Sequence, residues 1–269
     1  MVKSYGRIFY RWLIALGINP LHTFSFITEF IHYFKTYFSL KKQARKELGD
    51  KFPIFLNYPC LHDRKDNSGV AKGHYFYQDM VVAQSIYKAN PKRHLDVASR
   101  VDGFVAHVAT FRPIDVLDIR PLSTAIDNIN FIQEDLTNIS SSEKIETSDS
   151  VSCLHALEHF GLGRYNDPIS ATGYEEGFKN ISQLVQVGGT LYLSVPTGRE
   201  RIEFNAHRVF STDTILNLTK REFELKEFSY VDDNGDLHQG QELTEDKKAE
   251  LNNMHYGCGI YTLTKKESV

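Results

Sequence analysis

At 269 residues the chain is long enough to bury a sizeable core. Its 41% apolar and 24% charged content excludes a wholly disordered chain, a collagen and a low-complexity fibre. With 31 basic residues against 34 acidic ones, the net charge of −3 provides no global basic field, so nucleic acid is not an expected partner.

Residues 1–40 are aromatic and basic, with Lys3, Arg7, Arg11 and Lys35 but only Glu29 among acids. The uncharged stretch Trp12 to Thr28 is interrupted by Asn19, Pro20 and His22, too short and broken for a spanning helix. Two helices are expected, about Tyr5–Leu16 and Phe24–Phe38, broken at Gly17-Ile18-Asn19-Pro20. They form an N-terminal helical arm over residues 1–50. The arm packs on its own domain or a second copy, or touches an anionic membrane surface through Arg7, Arg11, Lys35, Lys41, Lys42 and Trp12. Lys41–Asp50 reads as a solvated connection and Pro53–Asp66 as loop.

The remainder, assigned to one domain over residues 51–269, alternates helical and strand patterns. Helix Tyr77–Ala89 precedes strand Arg93–Ala98, and helix Phe104–Phe111 precedes strand Ile114–Ile119. Strands Asn130–Gln133 and Ser150–Leu154 flank the polar run Ser140–Asp149. Helix Tyr174–Val185, stopped by Gly188-Gly189, leads to strand Thr190–Val195, and Ser211 caps a helix Thr212–Leu218. Glu222–Val231 and Tyr256–Thr264 are the last strands, paired antiparallel around a polar insert. The expected class is α/β: a Rossmann-like, mostly parallel sheet with an antiparallel terminal strand, the layout of class I S-adenosylmethionine (SAM) methyltransferases.

Ligands of such sheets sit beyond the carboxyl ends of the strands, and the residues there are consistently polar. Asp96 ends the first strand and runs into Ser99 and Gly103. Asp118 ends the second, at a spacing that suits the ribose hydroxyls of an adenosyl group. Asp135 after the third suits adenine, and His155 after the fourth packs beside the cofactor. Only Gly103 stands where a glycine-rich loop is usual. That counts against a pyrophosphate-binding dehydrogenase and less against SAM, which has no phosphate to cradle. Arg120, beside Asp118, is the one feature that suits a nicotinamide cofactor's 2′-phosphate.

His155-Ala-Leu-Glu158-His159 shares one face if helical. Three readings stand open: His159 with Glu158 as general base, a divalent-ion site that includes His207, or a structural polar network. A divalent metal is left open but not favoured, with no ligand set assigned. Arg164, in the loop GLGRYNDP, and Arg199, Arg201, Asn205 and Arg208, after the fifth strand, are the expected acceptor-binding residues. Three separated cysteines, Cys60, Cys153 and Cys258, make no CxxC pair and fit a reducing cytoplasm.

The strings HYFYQDMVVAQSIYKANPKRHLDVASRVDGFVAHV, VLDIRPL, INFIQEDLTN, SCLHALEHFGLGRYNDP and VGGTLYLSVPTGRERIEFNAHRVFS resemble the family labelled domain of unknown function 268, over about Gly73–Asp233. That resemblance implies SAM-dependent methyl transfer to a sugar or glycan precursor in surface-polysaccharide assembly, in the cytoplasm or at the inner face of its membrane. A non-catalytic adaptor, a nicotinamide-dependent sugar enzyme and a SAM-fold enzyme of different chemistry are the alternatives. Homo-oligomerisation is left open.

Overall fold

The computed structural model describes residues 2–49, 51–61, 64–136 and 147–267. It divides into two compact units, Met1–Val70 and Ala71–Val269.

The first unit contains helices α1 (Val2–Ala15) and α2 (Pro20–Glu47). The break falls where expected, with Gly17 in the left-handed region at φ 81° and Pro20 opening α2. The second helix runs nine residues past Phe38, through the stretch read as a connection. Leu, Lys, Gln, Ala, Arg and Glu are strong helix formers, and Arg45 and Lys46 complement the helix C-terminus. Glu29 is buried and accepts from Arg64 (2.7 and 2.9 Å) and Lys65 (2.7 Å). Those two partners hold its carboxyl down at about 2. Residues 51–70, which the sequence placed with the larger domain, group with this unit.

The second unit opens with α3 (His74–Ala89), ended by Asn90 in the left-handed conformation. Then come β1 (His94–Val97), a π-type turn Val101–Val105 running into α4 (Ala106–Ala109), β2 (Ile114–Asp118), β3 (Ile129–Gln133) and β4 (Ser148–Leu154). Most of the polar run before β4 lies outside the described residues. After a 3-10 turn, Leu157–His159, follow α5 (Gly173–Leu184), β5 (Val185–Thr197), β6 (Arg201–Glu203), β7 (His207–Val209) and α6 (Thr212–Thr219). The chain ends with β8 (Phe223–Val231), β9 (Leu237–His238), α7 (Glu245–Asn253) and β10 (Gly257–Lys265).

The eight-stranded sheet has the order β3-β2-β1-β4-β5-β10-β8-β9. Strands β1 to β5 pair parallel, and β10 inserts antiparallel between β5 and β8. This is the expected α/β sheet, mostly parallel with a reversed strand near one edge. Ser211 caps α6 as predicted, its Oγ accepting from the Thr214 amide at 3.1 Å. Gly188-Gly189 does not stop a helix. The chain turns straight from Leu184 into β5, and the glycines lie at the irregular start of that strand. The polar insert before β10 holds β9 and α7, and β6 and β7 form a hairpin that periodicity did not show.

Apolar side chains cover both faces of the sheet. Leu95, Val97, Val151, Leu191 and Leu193 pack toward Phe178 and Ile181 of α5, whereas Val116, Tyr192 and Ile260 pack toward Val82, Ile86 and Phe104. The buried polar side chains between β1 and β4 are paired. His94 bonds Ser150 Oγ (2.8 Å) and Ser152 Oγ (3.1 Å), and burial holds it neutral, with a pKa near about 3. This ladder fixes β1 against β4, so their polar ends emerge together at one edge.

Candidate active site

A cavity of about 510 Å³ lies at that edge, within the range typical of small-molecule sites. The ends of β1, β2, β3 and β4, the start of α3 and the loop after the 3-10 turn line it. Two lining residues, Ala98 (φ 60°) and His155 (φ 49°), stand in the left-handed region without being glycine. Each follows a central strand, and such held strain is concentrated at functional sites.

Of the expected cofactor residues, Ser99, Gly103, Asp118, Asp135 and His155 line the cavity. Asp96 does not. It is fully buried and accepts from the Ser99 amide (2.9 Å), Ser99 Oγ (2.8 Å) and Ser152 Oγ. Burial pushes its carboxyl up to about 7. Its work is to fold the β1 turn, and the sequence's placement of it against a ligand is corrected accordingly. At Gly103 a Cβ would stand 3.2 Å from Asp79 Oδ2, a tight contact to which the carboxylate would have to give way.

Asp118 reaches the cavity but is occupied. Arg120 Nε donates to both its carboxylate oxygens (2.9 and 3.1 Å), Arg120 Nη2 donates to Oδ2, and the Arg120 amide donates to Oδ1 (2.8 Å). The same guanidinium lies 4.8 Å from the Tyr165 ring centroid. The arginine therefore faces its own carboxylate.

His155, Glu158 and His159 come together without a helix. His155 precedes the 3-10 turn and its Nδ1 bonds Glu158 Oε1 at 2.9 Å, and His159 Nε2 lies 3.8 Å from the same oxygen. Glu158 is buried beneath the cavity and does not line it. Burial pushes its carboxyl up, but the two histidines outweigh that and leave it lowered. His159 lines the cavity, and its Nδ1 donates to the Ala206 carbonyl at 2.7 Å. That bond fixes the tautomer and leaves the lone pair on Nε2. Burial also lowers the His159 pKa, so the ring is neutral near pH 7.

The β6–β7 hairpin acts on this site through its backbone. Its Ala206 carbonyl takes hydrogen bonds from His159 and from Arg164 (2.9 Å), the one expected acceptor-binding arginine that lines the cavity. Arg199, Arg201, Asn205 and Arg208 do not line it. Arg201 pairs with Glu203 along the hairpin (2.6 Å), and Asn205 (φ 55°) makes its turn. Arg199 is exposed, with its amide bonded to the Met254 carbonyl at 3.0 Å. Arg208 is buried and gives its guanidinium to the carbonyls of Phe160, Ser170 and Ala171 (2.5, 3.2 and 3.1 Å). It holds the loop after the 3-10 turn. His207 also lies off the cavity, in a ring column: it stands 4.9 Å from Tyr256, which stands 5.0 Å from His74, which stands 5.3 Å from His155.

Asp79 is the functional candidate that sequence reasoning missed. Gln78 bridges it to the sheet, accepting from Ser194 Oγ (2.6 Å) and donating to Asp79 Oδ1 (3.1 Å). Burial raises the Asp79 carboxyl to about 6. The signal was present: Asp79, Val82, Ala83 and Ile86 share one helical face, so the acid had to point inward.

The model of the family described as "Caenorhabditis protein of unknown function, DUF268" matches residues 113–257, more than half of the chain. The chain belongs to that family. Within this DUF268 chain, the match takes in β2 to β9 and so the Asp118, Asp135 and His155–His159 parts of the site. The sequence matches no curated protein. Among solved structures the DUF268 chain is similar to the N-methyltransferase NodS from Bradyrhizobium japonicum WM9 in complex with S-adenosylhomocysteine. The identity is 13%, with 72% of this chain and 89% of that one covered and a TM-score of 0.48. It is also similar to Burkholderia thailandensis 1,6-didemethyltoxoflavin-N1-methyltransferase (14%, 70% and 79%, 0.48). A third is a SAM-dependent methyltransferase from Clostridium acetobutylicum ATCC 824 (11%, 86% and 100%, 0.47).

Proposed function

We propose that the cavity binds SAM and that the protein transfers its methyl group to a hydroxyl oxygen. The observation that carries this is His159: a neutral imidazole at the cavity wall, its Nδ1 tied to Ala206 and its Nε2 left to accept a proton. The donor supplies a methyl group on a positively charged sulfur, so the protein has chiefly to align it and remove the acceptor's proton.

The lining fits such a donor at three places. Asp135 stands at the adenine end, Asp118 at the ribose once Arg120 leaves it, and Asp79 opposite Gly103 at the charged amino-acid end. When His159 Nε2 takes the acceptor proton, Glu158 Oε1 at 3.8 Å stabilises the imidazolium. A base in this position suits an oxygen nucleophile. The choice of a sugar in a surface glycan or its precursor rests on the sequence resemblance, with Arg164 and Tyr165 as its polar and aromatic wall.

The Arg120–Asp118 clamp favours a second reading, a ligand-free adaptor. Calorimetric titration and thermal shift with SAM, S-adenosylhomocysteine and NADP separate the two. Binding of the first two with stabilisation of several degrees is expected. Stabilisation by none would leave the adaptor, and by NADP alone a nicotinamide enzyme.

We further propose that the arm touches an anionic membrane. No helix of the described residues is long and apolar enough to cross one. Phe9, Trp12 and Leu16 of the first unit are nevertheless about two-thirds exposed, with Arg11 exposed beside them. Co-sedimentation with vesicles containing phosphatidylserine is expected to fall about tenfold in the double variant Phe9→Ser, Trp12→Ser. Equal sedimentation of wild type with neutral and anionic vesicles would discard the idea.

A further inference from the structure

Three metal-binding side chains meet beside the cavity in a set that the His155–Glu158–His159 pattern did not contain. His74 opens α3, His155 follows β4 and Cys258 lies near the start of β10. One ligand atom from each lies within 4.8 Å of the other two, and both His155 and Cys258 are buried. No carboxylate belongs to the trio, so it is not the acidic cluster common at solvated surfaces.

His155 provides the second observation. Its Nδ1 is bonded to Glu158 at 2.9 Å, whereas its Nε2 is buried with no hydrogen-bond partner. A buried ring nitrogen left without a partner is costly. A histidine tied through one nitrogen to a carboxylate, with the other presented to a neighbouring thiol and imidazole, has the arrangement of a metal ligand with its orienting partner. The His74 ring lies between the rings of His155 (5.3 Å) and Tyr256 (5.0 Å). The left-handed backbone at His155 shows that the fold holds this ring in place against local preference.

We propose that His74, His155 and Cys258 bind a single zinc ion. Two imidazoles and a thiolate are a borderline-soft donor set suited to tetrahedral Zn²⁺, with Zn–N of about 2.0–2.1 Å and Zn–S of about 2.3 Å. Those lengths place tetrahedral ligand atoms roughly 3.3–3.6 Å apart, so the trio closes by at most about 1 Å on binding. Cys258 loses its thiol proton to solvent as the metal binds. Three protein ligands leave a fourth position open, and the cavity that His155 lines supplies the path of entry. The ion ties the start of α3 to β4 and β10 at the cavity's end, independently of whether methyl transfer takes place.

The test uses the full chain, stripped with chelator and titrated with Co²⁺ and then Zn²⁺, without SAM. Uptake of about one equivalent is expected, with strong visible bands of tetrahedral cobalt and a near-ultraviolet thiolate-to-cobalt band, both bleached by Zn²⁺. Cys258→Ala is expected to lose the near-ultraviolet band. Because Cys258 is buried, the partly exposed His74 gives a second arm: His74→Ala is expected to weaken Zn²⁺ binding at least about tenfold. Cys60→Ala, which removes the exposed thiol, leaves both readings unchanged. No stoichiometric uptake, a thiolate band that survives Cys258→Ala, or full affinity in His74→Ala overturns the proposal. SAM binding read separately by calorimetry keeps that outcome distinct from failure of the methyl-transfer reading.

Discussion

Replacing His159 with alanine is expected to lower kcat by about 10²- to 10⁴-fold while leaving the Kd for SAM within about twofold of wild type. The size follows from its position. It is the cavity-lining imidazole whose tautomer is fixed by a main-chain carbonyl and whose proton-bearing form has a buried carboxylate 3.8 Å away. The pH profile gives a second readout. Burial lowers the His159 pKa below the ordinary 6.5, so the ring loses its proton at lower pH than a free histidine. The rate limited by a neutral base then falls in acid at a lower pH than an ordinary histidine would give. Glu158→Gln removes the stabilising charge and is expected to carry that acid limb to still lower pH while slowing turnover. A His159→Ala enzyme with wild-type kcat would take the base assignment away.

The second large effect concerns the tip of β2. Asp118→Ala is expected to weaken SAM binding at least about a hundredfold, because a carboxylate accepting two ribose hydroxyls contributes roughly 3 kcal/mol. Arg120→Ala is expected to act in the opposite direction. The arginine holds both oxygens of that carboxylate, and the contact must break before a ribose can take them. Its guanidinium is about two-fifths exposed, so screening limits the gain to about 1 kcal/mol, or five- to tenfold tighter binding. Calorimetric titration of the two variants checks both signs. If neither alters the Kd, the tip of β2 does not hold the ribose. If Arg120→Ala alone weakens binding, the arginine is itself a ligand contact and the cavity selects an anionic partner.

The distinction between what was legible in the sequence and what was not follows the range of the interactions. Strand ends were legible because a buried strand announces itself as an apolar run and its last polar residue marks the edge: Asp118, Asp135 and His155 were found this way. Asp96 obeyed the same rule and misled, since its oxygens are taken by Ser99 and by Ser152 on another strand. Arg208 read as a ligand because its partners, main-chain carbonyls distant in the chain, leave no trace in sequence. Arg201 is taken by Glu203, two residues along the same strand.

By itself the sequence determined the α/β alternation, the antiparallel pairing of the last two long strands and the acidic strand tips. All of these follow from apolar periodicity and burial, which act along a few consecutive residues. Only the tertiary structure decided which polar side chains remain free. That depends on contacts between residues distant in the chain: Tyr165 stacking on the arginine that clamps Asp118, His159 meeting Ala206, and Cys258 approaching His155 and His74. A side chain's chemistry is set by the partner that reaches it first, and the fold chooses that partner.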